Sequence, residues 1–342
     1  MPVSVTKRAV IGAVALACLA TAGAGFYFYR LHRPLGALSA GKPPDILSQL
    51  PPKAPAIVYV DVAALRALHD SPLAALLGPG GRGSGEDRDY KNFVRATGFD
   101  YQRDLDKVAV AIWPANLATP PGAMGENRVL AIADGRFDQQ KIEAYALRFG
   151  KVDTRGAQPV YEVPGSPPVS FEFISPTRIA LASGKDAENL LAPSNPLARD
   201  SVIQARIDRV AGAPVFAVAR TDSLPASFYA NFRNSPQLAR LARSVEGLML
   251  AGQPDGDRIR MALDAECDSM KNAIEIATLL DGFRMIGSVA LANPKTRRQM
   301  TPQQATFLDT LVREVKVTHQ DRWVRLTLDV TPAMLAPATS AR

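Results

Sequence analysis

The chain has 342 residues, 47% of them hydrophobic and 21% charged, which is enough apolar matter for one large core or two ordinary ones and excludes a disordered chain. Its formal charge is +7, yet four basic side chains, Lys7, Arg8, Arg30 and Arg33, all precede the first acid, Asp45. The 36 basic and 33 acidic side chains that remain nearly balance and form no block of like charge, which excludes a basic groove for nucleic acid.

Residues 1–8 read as a short cytoplasmic tail. Residues 9–29, "AVIGAVALACLATAGAGFYFY", carry no charge and are long enough to cross a bilayer as one helix. Basic residues flank both ends, and Phe26-Tyr27-Phe28-Tyr29 stands where an interfacial aromatic belt would lie. A cleaved signal peptide ending at Ala20-Thr21-Ala22 is the alternative. Either reading puts the bulk of the chain outside the cytoplasm. Residues 30–55 hold Pro34, Pro43, Pro44, Pro51, Pro52 and Pro55 and are expected to form a stiff stalk, with "DILSQL" making one helical turn.

The first folded module is expected over 56–195. It opens with strand 56–62 and a helix near 63–77, followed by a flexible glycine-rich loop at 78–89 and a short helix from Tyr90 to Thr97 that Gly98 stops. Strands follow at 108–113 and 129–134. A helix capped by Asp138 comes next, with Ile142, Tyr145, Ala146 and Phe149 on one face and Gly150 closing it. Two hairpins, 151–154 with 160–163 and "VSFEFI" with "RIALAS", lead to a helix at 185–192.

A helical connector, 196–212, precedes a second module at 213–335. Its strand 214–220 aligns without gaps onto 55–61. A helix at 236–244, strands "GLMLAGQ" and "RIRMALDAE", and a helix from Ser269 bearing Met270, Ala273, Ile274, Ala277 and Leu280 on one face then follow. A helix at 302–313 and the hairpin "VKVTHQDRWVRLTLDV" complete it, before a disordered tail at 336–342. The expected architecture is α+β: two tandem duplicated modules of antiparallel sheet with helices on one face, preceded by a single transmembrane helix.

An N-terminal anchor, a proline-rich stalk and then Pro52, Ala54, Pro55, Tyr59, Val60 and Asp61 in one opening resemble bacterial membrane-anchored envelope proteins of a domain-of-unknown-function family. "ATGFDYQRDLDKVAVA", 96–111, and "ADGRFDQQKIEAYA", 133–146, are similar to that group as well. The resemblance implies a single-pass protein of the bacterial inner membrane with its soluble part in the periplasm or at the cell exterior. It implies no catalytic residues.

Motifs with chemical potential all have plainer explanations. Gly78-Pro79-Gly80-Gly81-Arg82-Gly83 spells the dinucleotide-binding pattern, but a Leu-rich helix precedes it and acids follow, so no phosphate meets a helix N-terminus. His69, Cys267 and His319 are too far apart in sequence for a zinc motif. Asp264, Glu266 and Asp268 alternate on a strand end and could hold a hard cation, or else form a solvated face running into a helix start. His69-Asp70-Ser71 reads as a helix break before Pro72 and not as a triad. Asp61 ends its strand where the aligned position is Arg220, and Cys267 reads as a small buried hydrophobe. Trp113 and Trp323 are the only tryptophans, a poor supply of sugar-stacking surfaces.

The expectation is therefore a non-enzymatic binding or scaffolding ectodomain, tethered to the bilayer through 9–29, with an unidentified envelope protein or surface component as partner. No cofactor, metal or catalytic residue is assigned. The alternative is an envelope hydrolase using carboxylates in a cleft between the modules.

Overall fold

The computed structural model describes residues 41–52, 54–67, 88–113, 127–154, 158–164, 168–184, 188–191, 200–223, 235–255, 258–298, 300 and 302–331. They build a mixed α+β structure in which strands pair antiparallel. By contacts the chain divides into two compact units. Among the described residues, one holds those from 41 to 219 with Ser223; the other holds those from 235 to 331 with Arg220–Asp222.

The first unit begins with a 3-10 turn, Asp45–Gln49, and strand β1, Ala56–Asp61. Helix α1, Val62–Arg66, starts because the Asp61 carboxylate accepts the Ala64 amide hydrogen at 2.8 Å. Helix α2, Arg88–Thr97, ends at Gly98, whose φ of 74° lies in the left-handed region that favours glycine. One further turn, α3 at Tyr101–Asp104, capped by Asp100, leads into β2, Leu105–Trp113, and then β3, Arg128–Gly135. Helix α4, Gln139–Phe149, is capped by Asp138 and packs Ile142 and Ala146 against Ala133, Tyr161, Phe171, Phe173 and Ile179. The hairpin strands are β4, Lys151–Asp153; β5, Val160–Val163; β6, Val169–Ser175; and β7, Arg178–Ser183. Short helices α5, Glu188–Leu191, and α6, Ser201–Asp208, precede β8, Val215–Arg220. The strand order is β8-β1-β2-β3-β7-β6-β5-β4.

The register of β1 against β8 carries information. Val58 faces Ala217, the residue it matches when the two strand openings are aligned without gaps. Ile57 faces Val218 and Tyr59 faces Phe216, and the same alignment turns each of these pairs into the other. The Tyr59 and Phe216 rings lie 5.1 Å apart. The two openings therefore meet as antiparallel neighbours about a local two-fold axis through Val58 and Ala217.

The second unit contains α7, Pro236–Arg243; β9, Val245–Asp255; and β10, Arg258–Cys267. Helix α8, Met270–Ala292, is capped by Ser269 and followed by α9, Pro294–Arg297, and α10, Pro302–Glu314. The hairpin of β11, Lys316–Gln320, and β12, Trp323–Val330, turns at Asp321, which adopts a φ of 52°. Here the strand order is β9-β10-β12-β11. Ala273 and Ala277 of α8 pack with Cys267 and Val324, and a Cβ on Gly287 would meet Val312 of α10 at 3.3 Å. No described helix is long and apolar enough to cross a membrane, and residues 9–29 lie outside the described residues.

Several expectations need correction. The stretch from Pro44 to Pro55 is not a free stalk: Ile46, Leu47, Leu50 and Ala54 are buried in the first unit, and Asp45 pairs with Arg178. Proline density signals a segment without regular helix or sheet, but such a segment, here around the 3-10 turn, can still line a core with its apolar side chains. The strand expected to open a separate second module lies beside β1, and the connector helix α6 buries Ile203 and Ile207. Gly150 does close α4, as expected, its amide donating to the Ala146 carbonyl, with an extended φ of −132°. It is glycine because a Cβ there would fall 1.9 Å from the Glu162 carbonyl oxygen of β5. Of the apolar helix faces, Ile142, Ala146, Ala273 and Ala277 are buried, while Phe149, Met270 and Ile274 are exposed.

Candidate functional site

The carboxylates that the strand ends bring forward are held by arginines. Asp264 on β10 receives two hydrogen bonds from Arg325 on β12, Nε to Oδ1 and Nη2 to Oδ2, both 2.7 Å. The neighbouring acid on that strand face, Glu266, pairs with Arg322. Asp268 stands outside this arrangement: its Oδ1 accepts from the Asn272 amide at 2.7 Å and from the Ser269 hydroxyl at 3.0 Å, tying down the start of α8. The three alternating acids thus go to arginines and a helix start, and among the described residues no group of three His, Cys, Asp or Glu is placed to hold a metal ion. In the first unit the strand pair β3 with β7 carries a comparable contact. Arg178 donates to Asp134 through Nε at 2.6 Å and Nη2 at 2.8 Å, and its Nη2 reaches Asp45 at 2.9 Å. This guanidinium holds the Asp45 carboxyl below the usual carboxylate range.

The remaining titratable groups also have local causes. Arg103 lowers the Asp104 carboxyl, and burial pushes the Glu172 carboxyl upward. Cys267 is fully buried, and desolvation raises its thiol to about 11, so it is mostly protonated at neutral pH. Asp61 acts as the cap of α1, while its aligned counterpart Arg220 donates to Asp222 at 2.7 Å. His69-Asp70-Ser71 and the loop 78–87 lie outside the described residues.

What the sequence reading missed is apolar surface. In the first unit Leu147, Phe149 and Val152 are exposed where α4 runs into β4, with the Arg148 guanidinium over the Phe149 ring at 5.3 Å. In the second unit α8 exposes Met270, Ile274, Met285, Ile286 and Val289. The signal was present. Over 23 residues this helix carries only Lys271, Glu275, Asp281 and Arg284 as charges, so packing one side against the sheet had to leave apolar side chains on the other.

No family model matches the chain, and no curated protein matches it. Among solved structures it is similar to crystal form I of TP0453, at 12% identity and a TM-score of 0.44, over 88% of this chain and 99% of that one. Crystal form IV of TP0453 aligns at 13% identity and a TM-score of 0.45, over 90% of this chain and all of the other.

Proposed function

We propose that this chain is a membrane-tethered envelope protein whose two duplicated α+β modules form a non-enzymatic binding or scaffolding ectodomain. On this reading residues 9–29 are an uncleaved single-pass anchor in a bacterial inner membrane, and the modules lie on its outer side. The observation that carries the duplication is the matched strand order. In one unit β2, β3, β7 and β6 follow one another; in the other β9, β10, β12 and β11 do so, with a long helix after β3 and after β10. The self-matching register of β1 and β8 supports the same reading, as do the carboxylate–arginine pairs between β3 and β7 and between β10 and β12. In each module a helix packs its small residues, Ala146 or Ala273 and Ala277, onto the sheet.

A binding role agrees with where the exposed apolar side chains fall, since most of those among the described residues lie on α4 and α8. The anchor is tested by N-terminal sequencing of the mature protein from envelopes. The chain should retain residues beyond the apolar run on its N-terminal side; a start at Gly23 or later refutes the tether. Chemical crosslinking in intact envelopes, with the exposed Phe149 face as the reporter position, then tests the scaffolding role. Crosslinks to a single partner that Phe149→Ser abolishes are expected, and an unchanged pattern in that variant argues against this face.

A further inference from the structure

We propose that the C-terminal half of α8, with α9, is a docking surface for an anionic lipid bilayer. Met285 and Val289 are 60% and 72% exposed, with Ile286 beside them, on a face that also presents Ser288 and Ala292 to solvent. At about 100° per residue, Met285, Val289 and Ala292 fall on one stripe, opposite the buried Gly287 and Leu291. That stripe contains no charge after Asp281, whose carboxylate is engaged by Arg284 at 2.9 Å.

Charge selects the occupant. From Gly282 to Arg298 the sequence holds Arg284, Lys295, Arg297 and Arg298 and no acid. Arg297 is taken by Asp309, while Lys295 and Arg298 stand exposed just past the end of the apolar stripe. Large apolar side chains beside a basic cluster are what an interfacial helix needs: the apolar groups enter the boundary between headgroups and acyl chains, and the long basic side chains reach anionic headgroups. A second copy of this chain would bring the same basic cluster against itself if the helices packed end on end. Each basic group near an anionic surface contributes about fivefold to partitioning. The inference rests on the proposed tether only in that the tether supplies a nearby bilayer.

The test uses the full chain carrying Val289→Trp, reconstituted into vesicles of phosphatidylcholine alone or mixed with phosphatidylglycerol. The emission of the unsubstituted chain, from Trp113 and Trp323, is subtracted. In the anionic vesicles the added indole should shift to the blue and be quenched by lipids brominated in their acyl chains. In phosphatidylcholine alone it should stay water-exposed, and Lys295→Glu with Arg298→Glu should remove the quenching. An indole unquenched in anionic vesicles overturns the proposal, as does quenching that ignores both the lipid charge and the double substitution. A blue shift without lipid that grows with protein concentration assigns the face to a second copy and overturns it too. Should the tryptophan disturb folding, Met285→Cys in a Cys18→Ser background, labelled with an environment-sensitive dye, reads the same face, because Cys267 is buried. Flotation after a high-salt wash reports the tether separately, so either reading can fail alone.

Discussion

Gly150 and Gly98 both end helices, yet they should respond oppositely to asparagine. At Gly98 the φ is +74° and no atom lies within 4 Å of the position a Cβ would take. The cost there is conformational only, about 1 kcal/mol for alanine, and asparagine, which visits the left-handed region readily, should recover much of it. At Gly150 the φ is −132°, which any residue adopts, but a Cβ would lie 1.9 Å from the Glu162 oxygen and 2.9 Å from its carbon. Those atoms belong to backbone paired with Lys151 in the β4–β5 ladder, so no side-chain rotation relieves the clash. Separating α4 from β5 should cost roughly 3 kcal/mol, the upper end for overpacking, less about 0.5 kcal/mol from the stiffer unfolded chain. Gly150→Asn should then be no better than Gly150→Ala. The assay is denaturant unfolding of the full chain in a Trp323→Phe background, where Trp113 on β2 reports the unit that contains both glycines. Rescue of position 150 by asparagine, or a smaller loss there than at position 98, would refute the close-approach argument.

Ile46→Ala should destabilise the same unit by about 2–4 kcal/mol, because its fully buried side chain leaves a cavity; a change near zero in the same unfolding assay would return residues 44–55 to the role of a stalk. Asp45 has a folded pKa below its ordinary value of 3.8, so its pairing with Arg178 stabilises the protein above that value and is lost as pH falls through the lower folded one. Arg178→Met should move the Asp45 carboxyl titration, followed by NMR, back toward 3.8, and an unmoved midpoint would exclude Arg178 as the cause. Cys267 should resist alkylation in the folded chain at pH 8 and react fully in denaturant, since burial holds its thiol near 11; mass spectrometry showing fast labelling of the native protein would contradict its placement.

Local patterns were sufficient wherever short-range chemistry decides the outcome. Asp138 before α4, Ser269 before α8, Gly98 after α2 and the Pro176-Thr177 turn between β6 and β7 are legible because caps and turns depend on neighbours a few residues away. The α+β class follows from the same patterns, since strand alternation and helical periodicity are local as well. The candidate surface is half legible: α8 reads as apolar, but its periodicity puts Met270 and Ile274 on one face with Ala273 and Ala277, of which only the alanines are buried. Apolar residues on all sides of a helix leave its rotation undetermined by the sequence, and packing of Ala273 and Ala277 against Cys267 and Val324 chose it. Likewise, nothing near Gly150 in sequence foretells Glu162, and nothing near Asp264 foretells Arg325. Such contacts join residues on different strands, and only the register of those strands brings them together.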